Sequence, residues 1–123
     1  MTARPSEVED YIRRSDHYWR QALELLQAGQ LERASELAWG SVVERVKALA
    51  RLRSQAELRS HREVREFIKR AALQNADEAL YRAFREAESL HINFYESFFD
   101  PEEVRQIFVA IQGLLAKLDS YLH

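Results

Sequence analysis

Only three glycines and two prolines interrupt the 123 residues of this chain, and its apolar residues recur at intervals of three and four rather than two. Strands need period-two alternation and turns rich in glycine and proline, so helices are the one regular structure that this pattern sustains. The spacing predicts five of them. The first, from about Ser6 to Ala28, carries Val8, Tyr11, Ile12, Tyr18, Trp19, Ala22, Leu25 and Leu26 on one face, with Gly29 placed as a left-handed stop. The second runs from about Leu31 to Ser54 through Ala34, Leu37, Ala38, Val42, Val46 and Leu49, and its Ala38, Gly40 and Ser41 admit a close neighbour. After a polar break, Ser60-His61-Arg62-Glu63 has the form of a capping box and opens a shorter helix to about Gln74. Asn75 is expected to cap the fourth, about 76 to 99, whose seam is Leu80, Phe84, Ala87, His91, Phe94 and Phe98. Asp100-Pro101 with Glu103 starts the last helix, which carries Val104, Ile107, Phe108, Ile111, Leu114, Leu115, Leu118 and Leu122. Five helices on short connections give an all-α antiparallel bundle, a single domain over 1–123.

At 46% hydrophobic residues the chain suffices for one core and is too short for two. It has no cysteine, which excludes disulfides, thiolate metal sites and thiol nucleophiles together. "MTARPSEVEDYIRRSD" lacks the apolar stretch of a signal peptide, and no later run approaches the roughly 20 apolar residues that a bilayer requires. A cytoplasmic protein without a membrane partner is expected. Net charge is -2, so no overall field draws the chain to nucleic acid. Locally the balance differs: Arg45 to Arg70 holds nine basic residues against three acids, and 71 to 103 holds eight acids against two arginines. The basic segment reads as a phosphate-facing surface or as a solvated face paired with the acidic one.

The chemistry concentrates in "ESLHINFYESFF", 88 to 99. Glu88-x-x-His91 has the spacing of a helical-bundle metal ligand pair, but no other histidine follows a glutamate by three, so neither a metal nor a cofactor is expected. Acid–base work on a phosphodiester needs an imidazole that titrates near neutrality and a cation for the charge on phosphorus, and Arg85-x5-His91 supplies both types. On a continuous helix the two stand about 9 Å apart along the axis and about 120° apart around it. Two quieter readings stand beside this one. His91, Asn93 and Tyr95 form a polar patch that binds without reacting, or His91 is a core residue satisfied by Tyr95 one turn on. His17 and His61 read as surface or helix-end residues, His61 lying inside the basic segment.

"ERASELAWGSVVERVKALA" (32 to 50) with "AESLHINFYE" (87 to 96) resembles the PaREP family of small helical proteins, in or near the HEPN superfamily, over roughly Tyr11 to Tyr121. The resemblance implies a HEPN-like fold and a homodimer. It also implies a nucleotide- or RNA-binding function, as a metal-independent endoribonuclease of toxin-antitoxin type or as the non-catalytic helical partner of a minimal nucleotidyltransferase. The HEPN motif is an arginine followed after four to six residues by a histidine, which Arg85 and His91 fit, with Tyr95 in the place of a following aromatic. Glu86 stands where the family commonly has a small polar residue. On this reading Arg85 and His91 are the catalytic pair, Asn93 and Tyr95 orient them, and Arg59, Arg62 and Arg65 bind the substrate.

Overall fold

The computed structural model describes residues 5–96 and 99–123, the side chains of residues 93–96 excepted. Five helices follow one another: α1 (Ser6–Gln27), α2 (Leu31–Ser54), α3 (His61–Gln74), α4 (Glu78–Glu96) and α5 (Pro101–Leu122). No strand occurs among the described residues, and the all-α bundle is the one that the spacing predicts.

The helix ends follow local chemistry. α1 closes in a Schellman turn, Gln30 N–H donating to Leu25 O at 2.9 Å and Gly29 N–H to Leu26 O at 3.1 Å, with Gly29 at φ +79°. α3 closes in the same turn, Asp77 N–H donating to Ala72 O at 2.8 Å and Ala76 N–H to Leu73 O at 3.3 Å, yet alanine holds the left-handed position at φ +50°. A Cβ in that region costs about 1 kcal/mol. Ala76→Gly is therefore expected to raise the melting temperature by about 4 °C, and Gly29→Ala to lower it similarly. Thermal unfolding followed by circular dichroism measures both, and an unchanged midpoint in both would contradict the assignment.

That turn also corrects the start of α4. Asn75 ends α3, its Nδ2 donating to Ala71 O at 2.7 Å, and Asp77 takes the capping role with Oδ1 accepting from Leu80 N–H at 3.1 Å. The left-handed residue needs one more position before the next helix begins. Asp100 and Glu103 form the expected reciprocal box behind Pro101, whereas at α3 Ser60 Oγ accepts from Glu63 N–H at 3.1 Å but the Glu63 carboxylate accepts from Arg59 N–H at 3.3 Å, so only half of the expected box forms.

α2 is the spine and packs against all four other helices. Its Ala34, Ala38, Val42, Val46, Ala48, Leu49 and Ala50 are buried. The small residues let α1 lie close, so that the Tyr18 ring covers Gly40 and buried Ser15 Oγ donates to Ser41 O at 2.7 Å. From α4, Leu80, Phe84 and Ala87 enter the core as expected, but Leu90 continues the seam in place of His91. From Ala87 the next turn offers positions three and four onward, and the core takes the apolar one. His91 is thereby turned toward α2 at the core's edge, its side chain 26% exposed. Phe94 and Phe98 lie outside the described residues.

Two polar clusters tie the bundle. Asp77 accepts from Lys117 Nζ at 2.9 and 3.0 Å and from Tyr121 O–H at 2.7 Å, joining the α3–α4 turn to α5. Those hydrogen bonds, Lys117 first and Tyr121 next, hold the Asp77 carboxyl below its ordinary range despite partial burial. Arg45 is buried beneath Asp16 of α1 (2.8 Å) and Asp119 of α5 (3.3 Å). It therefore does not belong to a basic surface. Arg51 pairs with Glu7, and Arg53 donates to Tyr121 O at 3.0 Å. What remains of the basic segment as a cationic face is carried by Lys47, the loop before α3, and α3 itself.

Candidate functional site

Three helices converge where α2, α3 and α4 pack against one another. Trp39 of α2, 6% exposed, forms the floor because the core has room for its indole beside Phe84, their rings 5.5 Å apart. Two imidazoles rest on it. The His61 ring, at the first position of α3, lies 5.2 Å from Trp39, the His91 ring of α4 lies 5.7 Å from it, and the two imidazoles are 5.6 Å apart. Each is approached by a carboxylate. Glu88 Oε2 accepts from His61 Nε2–H at 2.5 Å, and Glu36 Oε2 lies 3.4 Å from His91 Nδ1.

Glu88 is the electrostatic centre of this arrangement and is 2% exposed. The same Oε2 accepts from Arg65 Nη2 at 2.7 Å and Nε at 3.0 Å, while Oε1 meets Arg85 Nε at 2.8 Å. Burial pushes the Glu88 carboxyl up. The hydrogen bonds from His61 and Arg65 and the charges of Arg65 and Arg85 outweigh it and hold the group below the usual carboxylate range. Glu88 thus stays an anion, fastens α3 to α4 and fixes the proton on Nε2 of His61.

Beside this pair opens a groove of about 630 Å³, lined by His61, Arg62, Arg65, Glu66, Lys69, Tyr81 and Arg85. Across His61 lies a smaller depression of about 190 Å³ that includes Trp39, Lys47, Arg59 and Ser60. Arg62 and Arg65 line the groove, whereas Arg59 faces the depression and pairs with Glu57 at 3.2 Å. Arg85 and His91 do not meet directly. Glu88, one turn from each along α4, and His61 stand between them. The side chains of Asn93 and Tyr95 lie outside the described residues. Among the described residues no group of three acidic or imidazole side chains is placed to hold a metal ion.

Sequence reasoning missed His61, Trp39 and Glu36, and weighed Glu88 only as a metal ligand. The partners are 27 residues apart in the His61–Glu88 pair and 55 apart in the His91–Glu36 pair, so no local spacing announces either. The one signal was a histidine at the mouth of a capping box inside a basic segment.

The model of the archaeal PaREP1/PaREP8 family matches residues 10–115. The chain belongs to that family. The matched span contains every residue of the site from Glu36 to His91, so the constellation sits within this PaREP1/PaREP8 chain's family domain. The fold is similar to that of a crystal structure of a Sulfolobus solfataricus protein, with a TM-score of 0.74 and 19% identity over 89% of this chain and 96% of that one. A comparison with curated proteins found no match. No helix among the described residues of the PaREP1/PaREP8 chain is long and apolar enough to cross a membrane.

Proposed function

We propose that this PaREP-family chain is a HEPN-like RNA-binding protein that cleaves RNA without a metal. The observation that carries the reading is the carboxylate-braced His61 in a groove also lined by Arg62, Arg65, Lys69 and Arg85, with the His91 ring 5.6 Å from its own. Guanidinium and ammonium groups in a row follow a phosphate backbone, and an imidazole beside them moves the proton that cleavage requires. Arg85 keeps one edge of its guanidinium on Glu88 and sits over the Tyr81 ring, 6.0 Å from its centroid, so it is anchored rather than free to swing. In this reading His91 is the proton-transfer group, Arg85 and Arg65 hold phosphate, Arg62 and Lys69 steer the strand, and Arg59 extends the basic face. Asn93 and Tyr95 keep their orienting role, and the protein is a homodimer whose protomers each carry a site.

The test is incubation of labelled single-stranded RNA with the protein in EDTA, beside His91→Gln. Products ending in 2′,3′-cyclic phosphate are expected, at a rate that falls about 100-fold or more in the variant. Identical null results from both proteins would end the nuclease reading. A second reading is the helical partner of a nucleotidyltransferase, with the histidines purely structural. What favours it is that Arg65 and Arg85 already share a buried carboxylate, which reduces the charge they offer to a ligand.

A further inference from the structure

We propose that His61, oriented by Glu88, is the second proton-transfer group of this site, so that a single chain supplies both the base and the acid of an RNA transesterification. This rests on the ribonuclease reading above and adds to it a residue and a division of labour.

The two imidazoles are held as a pair, both against the same buried indole and with ring centroids 5.6 Å apart. Two groups so spaced reach different oxygens around one phosphorus through hydrogen bonds of about 2.8 Å. Their bracing differs in a way that assigns the roles. Glu88 accepts the proton of His61 Nε2, which in the neutral ring leaves the lone pair on Nδ1, and Nδ1 has no hydrogen-bond partner among the described residues. That is the form a general base needs. Arg65 from α3 and Arg85 from α4 bind the same carboxylate, so Glu88 remains an acceptor instead of taking the proton itself. His91 faces Glu36 of α2 through Nδ1 at 3.4 Å, and with His61 as the base the second imidazole of the pair takes the complementary task of general acid.

The step balances. His61 Nδ1 takes the proton of a ribose 2′-hydroxyl, O2′ bonds to phosphorus, the P–O5′ bond breaks, and the His91 imidazolium gives its proton to O5′. The products are a 2′,3′-cyclic phosphate and a 5′-hydroxyl, and the two rings return to their starting protonation through solvent. DNA, without the 2′-hydroxyl, binds and is not cut.

The experiment compares wild type, His61→Gln and His91→Gln in EDTA on single-stranded RNA across pH, with binding measured on the 2′-O-methyl analogue. Each variant is expected to cut about 100-fold or more slowly while binding the analogue within about threefold of wild type. Wild type gives a bell-shaped rate profile, His61→Gln loses its acid limb and His91→Gln its alkaline limb. Imidazole nitrogen resonances of His61 in the wild-type protein shift when the analogue is added, a readout independent of either variant. A His61→Gln protein that cuts at the wild-type rate, or a His61 resonance unmoved by the analogue, would overturn the assignment and leave a one-histidine nuclease standing. A wild-type protein that binds RNA without cutting it overturns this inference together with the nuclease reading.

Discussion

Glu88→Ala is expected to lower the unfolding free energy by about 3 kcal/mol, and Glu88→Gln by about 2 kcal/mol. Glu88 is buried and receives hydrogen bonds or charge from His61, Arg65 and Arg85. Removing the anion leaves two guanidinium groups near each other with no counter-ion at the α3–α4 contact. The arginine side chains are 44% and 54% exposed and rehydrate in part, which keeps the loss at the lower end for a broken buried pair. The glutamine retains an acceptor for one donor but presents an N–H group to the others. The pH dependence carries a definite sign. The folded carboxyl titrates below its unfolded value of about 4.3, so its contribution is present above that value and is lost as pH falls through the folded one. Urea unfolding of wild type and Glu88→Gln is expected to show a gap near pH 7 that narrows below about pH 4. A gap constant across that range would show that the charge of Glu88 contributes nothing.

Arg45→Ala is expected to cost about 3 kcal/mol, whereas Arg45→Met is expected to cost about 1 kcal/mol. The side chain is 7% exposed, donates from Nη2 to Asp16 and approaches Asp119 with Nε, which has charge contact but no aligned hydrogen bond. Truncation opens a cavity between α1, α2 and α5 and leaves two aspartates facing it. Methionine fills the same stem volume, and both aspartates are nearly half exposed, so water takes over the role of the guanidinium. Equal losses for the two variants, again by urea unfolding, would mean that charge rather than packing dominates there.

The parts of this molecule that were legible in the sequence are those written in neighbouring residues. Ser60 with Glu63, and Asp100 with Pro101 and Glu103, carry their helix starts within four positions, and the structure uses both. Gly29 announced the end of α1 because glycine is the ordinary occupant of a left-handed turn, and Ala76 hid the start of α4 because alanine is not, although the end of α3 at Gln74 was legible. Leu80, Phe84 and Ala87 were readable as a seam, but the choice between Leu90 and His91 depends on what α2 offers opposite them. Net charge along a segment also misled in one respect. Arg45 counts as basic in any sum, yet it is sequestered by acids from helices at both ends of the chain. The site itself is tertiary: Glu36 and Trp39, His61, and Glu88 with His91 come from three helices, and each imidazole meets a carboxylate of another helix.

The central claim is that the α3–α4 groove takes a phosphate backbone, and the most direct measurement is RNA binding in EDTA as a function of salt. Fluorescence anisotropy with labelled single-stranded 2′-O-methyl RNA would compare wild type with Arg62→Glu/Lys69→Glu, two exposed groove positions, Arg62 paired with Glu66 at 3.0 Å and neither among the partners of Glu88. The account predicts that the double variant binds at least about 10-fold more weakly, with a log Kd against log salt slope shallower by about 1.4 for two lost phosphate contacts. A double variant that binds as tightly as wild type, with the same salt slope, would contradict it.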